Sequence, residues 1–89
     1  MNYHKNVEDV IKLIILLSEP RSLINLGEII QKYSENMARF SSGLTYEITN
    51  EENGSFKFIG VFSCVEYLGW FLDEVKSDNV SKNYYIENL

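Results

Sequence analysis

One cysteine, one proline and one histidine are all that these 89 residues hold of those three types. A lone Cys64 excludes an internal disulfide and suits a reducing compartment, so a cytoplasmic location is expected. Cys64 itself reads as a small buried apolar residue. His4 is the sole histidine, and no His/Cys metal spacing exists. Nothing in the sequence brings His4 beside Cys64 to form a nucleophile–base pair. The five glycines are scattered, and no glycine-rich phosphate loop is present. The longest apolar run, Val10 to Leu17, includes Lys12 and falls far short of the ~20 residues of a membrane span. No signal-peptide pattern precedes it. No catalytic residue, metal, cofactor or membrane association is therefore expected.

Basic residues are scarce where they would matter for nucleic acid. The net charge is −5, and it is unevenly spread. Through residue 42 the acids and bases cancel. From residue 43 onward eight carboxylates face only Lys57, Lys76 and Lys82. Such a field repels phosphate backbones and attracts basic partners.

What the chain does have is apolar and aromatic content, 45% and 13%, too much for a disordered segment. The length suits one domain, residues 1–89, that buries about 60–65% of its unfolded surface. Asn6 and Asp9 resemble a helix start, and Val7, Val10, Ile11, Ile14 and Leu17 recur at helical spacing. A helix to about Ser18 is expected, stopped by Glu19-Pro20. Its apolar stripe is widened by Leu13, Ile15 and Leu16. Ser22 would cap a second helix to about Phe40, with an a/d seam of Leu23, Leu26, Ile30, Tyr33, Met37 and Phe40. Gly27 inside it would permit close approach to the first helix.

Two alternating segments follow, Leu44 to Thr49 and Phe56 to Phe62. A three-residue loop, Glu52-Asn53-Gly54 with Gly54 left-handed, pairs Ile48 with Phe58 and Leu44 with Phe62. That register gathers Leu44, Tyr46, Ile48, Phe56, Phe58 and Phe62 on one face. Gly60 in mid-strand signals a bulge or close backbone approach. Ser63-Cys64-Val65-Glu66 has the form of a capping box. The helix it opens would run to about Lys76 with Val65, Leu68, Phe71, Leu72 and Val75 inward. Val80 to Leu89 reads either as a third strand lying on the hairpin and covering Ile59 and Val61, or as a loose tail.

The expected fold is therefore α+β: an antiparallel helix pair, a β-hairpin extendable to a three-stranded antiparallel sheet, and a C-terminal helix packed on one face. Acids interleave with aromatics in the second half, and Tyr and Trp are common interface anchors. Glu47, Glu51, Glu52, Glu66, Trp70, Asp73, Glu74, Tyr84 and Tyr85 form the candidate partner-binding set. Glu74 and Asp78, four apart, are a weak cation pair at most.

The expected function is a non-enzymatic protein binder. It would neutralise a basic, nucleic-acid-acting partner such as a nuclease or toxin, as immunity proteins, antitoxins and phage inhibitors do. Two other readings stand beside it. One is a homodimeric assembly subunit joined through the helix-pair seam. The other is a winged-helix-like DNA-binding regulator, disfavoured by the acidic wing tip Glu51-Glu52-Asn53-Gly54.

Overall fold

A computed structural model describes residues 11–36, 43–78 and 83–88. Its elements run β1 (Ile11–Leu17), α1 (Pro20–Asn36), β2 (Leu44–Asn50), β3 (Phe56–Phe62), α2 (Val65–Asp78) and β4 (Asn83–Asn88). The chain thus begins its described course with a strand, which corrects the expected helix pair.

Burial along β1 explains the correction. Ile11, Leu13, Ile15 and Leu17 are buried, while Lys12, Ile14 and Leu16 between them are half-buried. A run apolar on both faces satisfies a period of two as well as one of 3.6. Ile11, Ile14 and Ile15 are β-branched, which tips the balance toward strand. From Ile11 to Leu16 the strand pairs on both edges, which satisfies its backbone inside the sheet. The proposed cap at Asn6 and Asp9, with Val7 and Val10, lies outside the described residues.

Pro20 does not only end an element; it is the first residue of α1. A proline there loses no hydrogen bond, because the first-turn N–H groups lack helical partners. The Leu23 amide donates to the Glu19 carbonyl at 3.4 Å, so the helix begins before Ser22, which does not cap it. Leu26, Ile29, Ile30 and Tyr33 are buried, so the expected a/d seam faces a sheet rather than a second helix. Met37 and Phe40 lie outside the described residues. A Cβ on Gly27 would meet nothing within 4 Å, so no close approach occurs there.

The sheet has four strands in the order β2-β3-β1-β4. Each neighbouring pair is antiparallel. Strands β1 and β2 therefore point the same way with β3 between them, and β3 and β4 do so across β1. Two strand–helix–strand crossovers interlock in this arrangement. The buried residues of both helices form one core with Ile11, Leu13, Ile15, Leu17, Phe58 and Phe62, so both helices lie on the same side of the sheet.

The hairpin has the register argued from its sequence: Leu44 opposes Phe62, Ile48 opposes Phe58 and Thr49 opposes Lys57. Glu51 donates its amide to the Ser55 carbonyl at 2.8 Å, closing a loop of Glu52, Asn53 and Gly54. Gly54 has φ of 86°, which a side chain would strain. No bulge interrupts β3 at Gly60, which pairs with both Tyr46 and Leu13.

The capping box at Ser63 is not formed. The Ser63 hydroxyl donates to the Gly43 carbonyl at 3.5 Å. The Leu68 amide donates to the Cys64 carbonyl at 3.2 Å, which makes Cys64 the cap. The Cys64 thiol, half-buried rather than fully so, reaches Glu66 Oε1 at 4.0 Å. Within α2, Leu68, Phe71, Leu72 and Val75 face inward as expected, but Val65 is exposed.

The C-terminal segment is neither a cover for the hairpin nor loose. β4 pairs with β1, placing Tyr85 opposite Ile14 and Ile86 opposite Leu13. No described helix is long and apolar enough to cross a membrane.

Candidate functional site

Three elements bring aromatic rings together under the helices. Phe58 of β3 is fully buried and stacks on Phe71 of α2, with centroids 5.5 Å apart and planes 13° apart. On its other side Phe58 stacks with Tyr46 of β2 at 5.7 Å and 25°. Phe62, further along β3, tilts against Phe71 at 5.4 Å. The column Phe71–Phe58–Tyr46 thus runs from the core outward to the sheet edge. Such offset stacks add about 0.5–1.5 kcal/mol per pair beyond their buried area.

The outer end of the column is open. Tyr46 is 49% exposed and Ile48 37% exposed, although both lie on the helix side of the sheet. Their strand β2 lies at one edge of the sheet, and the buried core centres on β1 and β3 instead. The result is an apolar ledge whose last member is an exposed phenol ring.

Tyr33 of α1 closes the inner end. Its ring meets Phe71 edge-on at 5.7 Å and Phe62 edge-on at 6.3 Å. The hydroxyl is buried and, among the described residues, has no hydrogen-bond partner. Burial first, then the nearby Tyr67 and Cys64, push its pKa up to about 12. Tyr67 is pushed up as well, by burial and then by Cys64 and Glu66. Tyr33 is therefore neutral through the ordinary pH range and is not a base. Its place in the seam of α1 made it look like plain core in the sequence. A tyrosine among Leu and Ile at seam positions was the available signal.

The candidate partner-binding residues do not share a face. Glu47 and Tyr85 lie on the helix-free side of the sheet, as their registers with Ile59 and Ile14 require. Glu51 and Glu52 sit at the hairpin end, where Thr49 Oγ1 donates to Glu51 Oε2 at 2.9 Å. Glu66, Trp70 and Asp73 are exposed on α2, Trp70 at 58%. Glu74 turns to α1 and pairs with Lys32 at 2.9 Å. With Glu28, Ile29 and Asp78 that pair lines a cavity of about 140 Å³ between the helices. Tyr84 packs against the core on the helix side, with Lys76 Nζ 5.9 Å above its ring.

No family model matches the sequence, and no curated protein matches it. Solved structures do match the fold. A putative antibiotic biosynthesis monooxygenase from Caulobacter crescentus CB15 aligns over 99% of this chain and 96% of its own, at 15% identity and TM-score 0.52. A point mutant of SnoaB, a cofactor-independent oxygenase from Streptomyces nogalater, aligns over 91% of each chain at 11% identity and TM-score 0.51. The de novo designed protein Ferredog-Diesel covers 89% of this chain and 84% of its own, at 14% identity and TM-score 0.57.

These findings overturn the expectation of a non-enzymatic inhibitor of the immunity-protein, antitoxin or phage-inhibitor kind. The fold is shared with proteins named as oxygenases. The assembly subunit joined by a helix seam falls too, because that seam is buried against the sheet. So does the winged-helix regulator, because the hairpin is half of a four-stranded sheet under two helices. The strand order, the two crossovers and the solved structures agree that this chain has the ferredoxin-like α+β fold.

Proposed function

We propose that this chain is a small oxygenase-like enzyme that takes a planar, electron-rich aromatic substrate on the ledge beside Tyr46. The observation that carries the reading is the open end of the Phe71–Phe58–Tyr46 column. A flat substrate ring continues that column by stacking on the exposed Tyr46, with Ile48 beside it. The structural neighbours named as a putative monooxygenase and a cofactor-independent oxygenase support an oxidative chemistry on this fold. Fold alone does not fix chemistry, so the substrate class rests on the ledge itself.

The cytoplasmic setting expected from the single cysteine is part of the same reading. The test is oxygen uptake with a panel of hydroxylated naphthalenes and anthracenes. Uptake above the spontaneous rate, lost in Tyr46→Ala, supports the proposal. No uptake with any member, from a protein shown folded by circular dichroism, contradicts it.

A further inference from the structure

The hairpin tip carries chemistry of its own. Of the nine asparagines in the chain, Asn53 alone is followed by glycine. The others precede Tyr, Val, Leu, Met or Glu. An asparagine's side-chain carbonyl carbon and the next residue's amide nitrogen can close a small cyclic imide, because the chain already holds them together. A side chain on the following residue shields that nitrogen, and Gly54 has none. Asn53 and Gly54 are both exposed, so water and hydroxide reach them.

The fold adds to this pairing at the carbonyl. Asn53 Oδ1 accepts from the Ser55 amide at 3.0 Å and from the Ser55 hydroxyl at 2.6 Å. A main-chain N–H can only donate, so the atom it meets is the amide oxygen, and Nδ2 is the group left to depart. Two donors on that oxygen sit where negative charge develops when a nucleophile adds to Cγ. The Gly54 amide donates in turn to the Glu51 carbonyl at 3.1 Å. That is the bond that must open, and Gly54 has no side chain to hinder its rotation.

We propose that Asn53–Gly54 is a self-modifying site, at which Ser55 activates the Asn53 amide for intramolecular imide formation. The Gly54 nitrogen gives its proton to hydroxide and bonds to Asn53 Cγ. The Cγ–Nδ2 bond breaks, and Nδ2 departs as ammonia with a proton from water. Water then adds to one of the two imide carbonyls and reopens the ring, to aspartate or to isoaspartate. One ammonia leaves and one water enters, with no change of oxidation state. Either product adds a carboxylate beside Glu51 and Glu52. Isoaspartate also carries the main chain through Cβ and Cγ, which lengthens the loop that sets the register of β2 on β3.

Incubating the full chain at mildly alkaline pH, below its melting temperature, and following its proteolytic peptides by mass spectrometry reads the conversion residue by residue. Asn53 is expected to convert ahead of every other asparagine, at a rate that climbs with pH. Ser55→Ala removes the hydroxyl donor and slows conversion about tenfold, the worth of one hydrogen bond. Ser55→Thr keeps the hydroxyl and stays within about threefold of the parent. In urea strong enough to unfold the chains, the parent and Ser55→Ala rates come together, because the contact belongs to the folded hairpin. Asn53 left intact, or overtaken by another asparagine, overturns the proposal. Equal rates for parent and Ser55→Ala, both shown folded by circular dichroism, overturn it as well. So does faster conversion in Ser55→Ala, which would make Ser55 a clamp that protects the amide.

Discussion

Phe58 and Phe71 lie ring on ring, 5.5 Å apart and 13° from parallel, and so fasten the inner strand β3 to the second helix. Both are fully buried. Their contact is the base on which Tyr46 is stacked. Truncating Phe71 to Ala removes a large core side chain and leaves a cavity, at about 3–5 kcal/mol. Urea unfolding should show a midpoint lowered by that amount divided by the slope. A loss under about 1 kcal/mol would mean the stack does not anchor the core.

Gly60 owes its identity to the same ring. A Cβ there would stand 2.8 Å from Phe58 Cε1 and 3.3 Å from Leu44 Cδ1. Phe58 stacks with both Tyr46 and Phe71, so a shift of its ring disturbs both contacts. Gly60→Ala should destabilise by about 1–3 kcal/mol. Gly27→Ala should do the reverse, gaining up to about 1 kcal/mol of helix propensity, since its added methyl meets nothing within 4 Å. Thermal melts of the two variants should move in opposite directions.

The Tyr33 hydroxyl gives the fold an alkaline limit. Below about pH 10 the folded and unfolded chains both keep this proton. As pH rises from 10.0 toward about 12 the unfolded chain releases it and the folded chain does not. Stability therefore falls across that window, by on the order of 2 kcal/mol. Tyr33→Phe should flatten this part of the pH–stability curve. It should also raise stability near neutral pH by about 1 kcal/mol or more, because a buried unpaired hydroxyl is removed. A variant as alkali-sensitive as the parent would place the titration elsewhere.

Legibility in the sequence varied with the kind of signal. The hairpin register was readable because one pairing alone gathers Leu44, Tyr46, Ile48, Phe58 and Phe62 on a face, and Gly54 fits the left-handed turn. The inward stripe of α2 was readable for the same reason. β1 was not, because Ile11 to Leu17 is apolar at nearly every position and fits either period. Misreading that one segment removed a central strand, turned the seam of α1 toward a helix where the structure has β1, and gave the C-terminal segment only the hairpin to lie on. The aromatic ledge was not legible: Tyr46 read only as a member of the hairpin's apolar face, and its place in a column with Phe58 and Phe71 depends on Gly60 and on contacts across three elements. The orphan state of Tyr33 carries no sequence mark beyond a polar atom in an apolar seam.

The account stands most directly on whether a flat aromatic molecule stacks on Tyr46. Titrating a dihydroxynaphthalene into isotopically labelled protein, and following ring-current shifts by NMR, reads this at atomic resolution. Saturable upfield shifts at the Tyr46 ring and the Ile48 methyls, with the Ile48 shifts absent in Tyr46→Ala, are the predicted result. Shifts confined to Trp70 on α2, or none at all, would contradict it.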